Sequence, residues 1–217
     1  MQTKLLFFAA LGLLILICNT KKPGYDEESL TEPGIFLSVK AKATNQGANF
    51  EVTITNHTQK TYKSLVSLFC FHYKNLKGFP ERLTDNFAHT YVIIGGKPVL
   101  VANLAVKDTS ARMREALVEG CTDEFPLVHN EWAEKQGGVI EQSIDAAYTI
   151  LTSSHDDRKV IVHWTPGRSF LSNREIPCIH ADPCFGDLAP GKSITVYGEL
   201  IFTRAPLEQI MNEFPIK

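Results

Sequence analysis

From Ile35 onward the chain runs in short apolar–polar alternations separated by turn-forming residues. This pattern is the strongest constraint on the fold, because successive side chains of an extended strand point to opposite faces. IFLSVKAKA and ANFEVTITN flank Thr44-Asn45-Gln46-Gly47 and read as a hairpin. HTYVIIGGKPVLVANL reads as a second hairpin pivoting on Gly95-Gly96, and AYTILTSSHDDRKVIVHW as a third around residues 154–157. SLVSLFCFHY, residues 64–73, is continuously apolar, as a strand covered on both faces would be. SITVYGELIF, residues 193–202, alternates again after the turn Ala189-Pro190-Gly191-Lys192. Many short strands with turns between them predict a mainly all-β, antiparallel sandwich or barrel.

Helix is the minority. DTSARMREALVEG, residues 108–120, has good helix formers, cap candidates in Asp108, Thr109 and Ser110, and Gly120 as a stop. Its residues also alternate, so strand stays open as the second reading. Short helices are expected within residues 126–144 and in the C-terminal PLEQIMNEF.

The first eighteen residues, MQTKLLFFAALGLLILIC, place one positive charge before an unbroken apolar run from Leu5 to Cys18. That run is within the reach of a signal peptide and shorter than the roughly 20 residues a membrane-spanning helix needs. A run ending on a cysteine and followed by polar residues resembles the start of a bacterial lipoprotein, which implies lipidation of Cys18 and attachment to a membrane. Ile17 departs from the small residue usual before such a cysteine. An uncleaved anchor and cleavage a few residues later are the other readings. The expected organisation is a signal at 1–18, a solvated linker at 19–33, a sandwich domain at 34–205 with an insertion at about 81–174, and a short tail or helix at 206–217.

FEVTITNHTQKTY near the start of the folded part and LAPGKSITVYGELIF near its end resemble the immunoglobulin-like β-sandwich modules of bacterial envelope proteins. The resemblance implies a fold and carries no catalytic residue with it. Asn56-His57-Thr58 fits a glycosylation acceptor, a pattern that matters only in a eukaryotic secretory pathway and is otherwise a turn.

Candidate chemistry concentrates in IPCIHADPC, where Cys178, His180, Asp182 and Cys184 occupy every second position. Thiolate, imidazole and carboxylate are all zinc ligands, and on an extended strand all four would share a face. Reach is the difficulty, since the outer pair of a flat strand would stand about 20 Å apart. In an exported chain the favoured reading is instead a Cys178–Cys184 disulfide closing a loop stiffened by Pro177 and Pro183. With Cys18 set aside, Cys70, Cys121, Cys178 and Cys184 permit two disulfides, and Cys70 reads equally well as a buried small hydrophobe.

Trp132 and Trp164, with Arg168 and Asn173, are the candidates for a sugar-stacking surface, with Trp132 the better placed for exposure and the core the favoured place for Trp164. Ser169, His163 and Asp182 are the residues that a nucleophile–base–acid set would draw on. No nucleophile elbow, phosphate loop, metalloprotease helix or dinucleotide fingerprint is present, so the reading leans away from catalysis. A formal net charge of −2 excludes a basic nucleic-acid-binding surface as the expectation. The sequence thus predicts a non-enzymatic, lipid-anchored or secreted module without a cofactor that binds an envelope protein or glycan. A metal-dependent or other hydrolase using residues 178–184 is the alternative.

Overall fold

The structure, a computed structural model, describes residues 24–80, 86–118, 131–174 and 176–216, with the backbone alone for 24–32, 64, 66, 131 and 132. Its strands are β1 (Gly24–Glu32), β2 (Ile35–Thr44), β3 (Gly47–Asn56), β4 (Tyr62–Val66), β5 (Cys70–His72), β6 (Thr90–Ile94) and β7 (Lys97–Leu100). They continue with β8 (Met113–Leu117), β9 (Ala147–Thr152), β10 (Lys159–Thr165), β11 (Gly167–Asn173), β12 (Cys178–Leu188) and β13 (Ser193–Thr203). Three short helices, α1 (Asn86–His89), α2 (Glu131–Lys135) and α3 (Ile210–Glu213), complete the elements that position the site. The fold is mainly all-β and antiparallel. One sheet has eight strands in the order β1-β2-β3-β13-β10-β9-β6-β7; the other has five, β4-β12-β11-β8 with β5 also paired to β12. β12 lies across β9, β10 and β13, so it joins the second sheet to the first.

The hairpins follow their turn chemistry. β2 and β3 pair from Ile35↔Asn56 to Thr44↔Gly47 and bury alternate residues, among them Ile35, Leu37, Phe50 and Ile54. β6 and β7 turn through Gly95 and Gly96 at φ 60° and 71°, the left-handed pair that a two-residue hairpin requires. Both of their N–H groups donate to the Asp145 carboxylate, at 3.1 and 2.7 Å. β9 and β10 lack alternation because both faces are covered. Val160, Val162 and Trp164 face the core between the sheets, while Ile150 and Ile161 pack under Ala205 and Ile210 of the C-terminal segment.

Asn56 is fully buried; its Nδ2 donates to the Lys60 and Leu188 carbonyls at 2.7 and 3.1 Å, and its Oδ1 accepts the Thr58 N–H at 2.9 Å. The Asn-His-Thr stretch is therefore a structural turn tying β3 to the end of β12.

Several expectations are corrected. Part of the expected linker, residues 24–32, is strand β1, whose charged sequence suits an outermost strand because charge discourages further pairing. Residues 64–73 form not one strand but two, β4 and β5, both laid against β12. In place of the favoured helix at 108–120, the described residues 108–118 form a turn followed by β8, which pairs with β11; tertiary pairing overrides the helix propensity of MREAL. The described residues of the expected insertion, 86–118 and 131–174, belong to the sandwich itself, since they supply β6, β7, β9 and β10 to one sheet and β8 and β11 to the other. The eight-plus-five arrangement is also larger than the immunoglobulin plan.

IPCIHADPC is not a loop. It opens the longest strand of the second sheet, which puts Cys178 and Cys184 about 20 Å apart at the usual rise, far beyond the roughly 7 Å a disulfide can span. Cys178 is a free thiol. Cys184 is a half-cystine whose partner lies outside the described residues. Pro183 is tolerated because β11 bulges between Gly167 and Ser169 opposite it, where the ladder has no N–H to use.

Trp164 lies directly across from Gly198 in the β10–β13 ladder. A Cβ on Gly198 would stand 2.7 Å from three atoms of the indole, which is itself packed between Phe50 and Phe69 at centroid distances of 6.0 and 5.0 Å. Gly198→Ala is expected to lower stability in urea unfolding by about 1–3 kcal/mol, the usual effect of overpacking a close-packed core. An unchanged midpoint would mean that the indole moves aside freely.

Candidate functional site

On β12 the residues Ile179, Ala181 and Phe185 point into the core between the sheets. Strand alternation then sends Cys178, His180 and Asp182 to the other face. β5 pairs antiparallel to β12 with His180↔Cys70 and Cys178↔His72, so Cys70 arrives on that same face. One donor atom each from Cys70, Cys178 and His180 lies within 4.8 Å of the other two. Cys178 Sγ is 3.5 Å from His180 Nε2. Cys178 and His180 are buried and Cys70 is half-buried, so the cluster reaches solvent on the Cys70 side.

Asp182 stands behind the imidazole. Its Oδ1 is 3.4 Å from His180 Nδ1, an ion-pair distance, although Nδ1 itself has no aligned hydrogen bond. The carboxylate is fully buried and accepts two donors, the Phe69 N–H on Oδ1 at 2.9 Å and the Ser169 hydroxyl on Oδ2 at 3.1 Å. Arg168 Nη1 donates to Ser169 Oγ at 2.9 Å and pairs with the buried Glu115 carboxylate at 3.3 Å. The bulge at Arg168 explains that reach, because an extra residue in one strand turns its side chain to the face of Ser169. A polar chain thus runs from β12 through β11 to β8.

Burial, the largest single influence on His180, favours its neutral form. The hydrogen bonds and charges of Asp182 and Cys70 outweigh it, and the pKa is pushed up to about 10. The Cys70 thiol is pushed up, first by its hydrogen bond to Cys178 and then by burial. Exposed His72, cross-strand from Cys178, is lowered by partial burial and by the nearby His180.

Two sulfurs and an imidazole nitrogen form a soft donor set suited to zinc. With Zn–S of about 2.3 Å and Zn–N of about 2.0 Å at a tetrahedral angle, the two donors stand about 3.5 Å apart. The 3.5 Å from Cys178 Sγ to His180 Nε2 fits that separation. A carboxylate behind the second ring nitrogen is the usual support of a ligating histidine. Cys70 and Cys178 are a diagonal cross-strand pair, about 7–8 Å apart at Cα and wider than most disulfides. An ion bridges such thiols more readily than a direct bond does.

The four-residue comb of the sequence reading is therefore split. Cys178 and His180 join the cluster, Asp182 supports it from behind, and Cys184 is committed to its disulfide. Cys70 completes the set and was missed. Its only signal was the alternation Cys70, His72 in FCFH, and nothing local reveals that this short strand pairs with β12.

The sugar-stacking surface is not assembled from its described members. Trp164 is 2% exposed and in the core, and Arg168 is buried against Glu115. Asn173 ends β11, where its carbonyl accepts a hydrogen bond from Asn86 at 3.1 Å. The side chain of Trp132, and Cys18 and Cys121, lie outside the described residues. Ser169 and Asp182 do touch, whereas His163 sits on β10 in the other sheet with Nε2 at 3.1 Å from Thr165 Oγ1.

Removing the charge of Asp182 leaves His180 and the Arg168–Glu115 pair without their common anchor. Asp182→Asn is expected to cost about 3–5 kcal/mol in chemical denaturation, as when one member of a buried ion pair is removed. A loss below about 1 kcal/mol would show that the carboxylate is not the anchor of this face.

No protein family matches the chain, and no curated protein does. Among solved structures it is similar to a galactose mutarotase-like protein from Lactobacillus casei, at 12% identity and a TM-score of 0.44 over 85% of this chain and 72% of that one. It is also similar to an aldose 1-epimerase candidate from Escherichia coli, at 11% identity and a TM-score of 0.36 over 83% of this chain and 64% of that one. Likenesses this distant transfer no residue role to the cluster on β12.

Proposed function

We propose that this chain is a non-enzymatic binding protein of the cell envelope that holds one zinc ion through Cys70, Cys178 and His180. The observation that carries the metal reading is the convergence of three soft donors from two paired strands within 4.8 Å. Three protein donors leave one position on a tetrahedral ion for water or for a donor brought by another molecule. That open position ties the metal to the binding role, because an envelope protein or glycan that reaches the half-buried Cys70 side can meet the ion there. Hydrolysis is disfavoured: Asp182, the acid nearest in sequence to His180, is fully buried and already accepts the Phe69 N–H and the Ser169 hydroxyl. The envelope assignment rests on the apolar run from Leu5 to Cys18 and on the lipoprotein-like cysteine at its end.

Metal analysis of the purified full chain after zinc loading and desalting tests the site. The expected result is one zinc per chain in the wild type and loss of it in Cys178→Ser and His180→Ala, with circular dichroism confirming that both variants fold. Thiol alkylation supplies the second reading: zinc should protect Cys70 and Cys178 together. Sub-stoichiometric zinc in a folded wild type, or a Cys70–Cys178 disulfide found by peptide mapping, would overturn the proposal. Labelled palmitate should enter the wild type and not Cys18→Ser; incorporation that survives the substitution would remove the lipid anchor.

A further inference from the structure

On the opposite face of the second sheet from the thiols, two arginines share one aromatic ring. Arg114 of β8 pairs with Ser172 of β11, and the Arg174 N–H donates to the Arg112 carbonyl at 2.7 Å. Arg174 is thereby the diagonal neighbour of Arg114 on one face of the sheet. The guanidinium carbons of both lie 4.7 Å from the centroid of the Phe87 ring of α1. Arg114 is 3% exposed.

Two cations held against one ring, one of them buried, repel one another and call for a counter-charge. Burial first, and then the charge of Arg174, pull the Arg114 guanidinium below its ordinary value. Other arginines of the structure have a carboxylate partner: Arg158 pairs with Asp156, Arg168 with Glu115 and Arg204 with Asp157. Among the described residues Arg114 and Arg174 have none. The one hydrogen bond of the Arg114 guanidinium goes to the Val101 carbonyl at 2.6 Å, and the Nε atoms of both arginines are buried without an acceptor. A benzene ring offsets a cation only partly, and it satisfies no N–H donor in the plane of the guanidinium.

We infer that Arg114 and Arg174 form a site for a small oxyanion of charge −2, of the phosphate type. Two guanidiniums match a dianion in charge, and each presents fixed donors suited to an oxyanion. Phe87 lies against both guanidiniums, and the half-buried Arg174 gives the ligand its way in at the end of β11. The site is independent of the metal cluster, because Arg114 points to one face of β8 and Glu115, which belongs to the thiol face, points to the other.

Isothermal titration of the full chain with inorganic phosphate, at constant ionic strength set with chloride, tests the inference. The wild type should give saturable binding, with acetate at least about tenfold weaker because it carries one charge rather than two. Arg174→Gln should weaken phosphate binding by about tenfold or more, the loss of one charge-assisted donor group. Arg158→Gln, at an arginine already paired with Asp156, should leave it unchanged. Arg114 is too deeply buried for its variants to be relied on to fold, so Arg174 carries the test. Absence of saturable heat in the wild type, or equal affinity in Arg174→Gln, would overturn the site. Acetate binding as tightly as phosphate would overturn the dianion.

Discussion

A carboxylate shut away from water must find hydrogen-bond donors or give up its charge, and Asp182 is such a carboxylate in the middle of the strand that holds this fold together. β12 pairs with β4, β5 and β11 and packs across the larger sheet, so what satisfies Asp182 also sets the order of its neighbours. The Phe69 N–H fixes where the chain leaves β4 and enters β5; the Ser169 hydroxyl fixes the register of β11. Arg168 and Glu115 extend the same accounting to β8. Isolated in a low-dielectric interior each of these charges would be costly, and linked they specify one arrangement of four strands.

The two faces of the second sheet divide the work. One face is apolar where it meets the larger sheet, with Ile179, Ala181 and Phe185 in the shared core. The other gathers Cys178, His180, Asp182, Ser169 and Glu115, polar residues that are nonetheless buried. Burial without disorder is what a ligand site requires, because a donor held in one rotamer by its neighbours loses little freedom when a ligand arrives. The His180 imidazole is the clearest case, set between the Asp182 carboxylate and the sulfurs of Cys70 and Cys178.

The sequence was most legible where local physics decides. The β2–β3 and β6–β7 hairpins, the β9–β10 pair and β13 follow from alternation and from turns built on Asn45-Gln46 and Gly95-Gly96. It was least legible where distant pairing decides. MREAL has the composition of a helix, yet β11 recruits it as a strand. The prolines of IPCIHADPC read locally as loop residues, but a bulge in the partner strand absorbs Pro183, and the comb stays extended. That error produced the disulfide expectation, and it hid the cluster. Two of its three donors sit in the comb, whereas the third comes from a three-residue strand more than a hundred residues away in the chain. The one-face geometry of alternate residues and the reach limit of an extended strand were both sound, and together they required a donor from elsewhere.

The central claim is that the three donors on β5 and β12 bind one ion as a set. X-ray absorption at the zinc edge of the zinc-loaded full chain tests this most directly. Two sulfur scatterers at about 2.3 Å with imidazole nitrogen at about 2.0 Å are expected, and one sulfur fewer in Cys70→Ser. A first shell of nitrogen and oxygen alone, or a sulfur count that Cys70→Ser leaves unchanged, would contradict it.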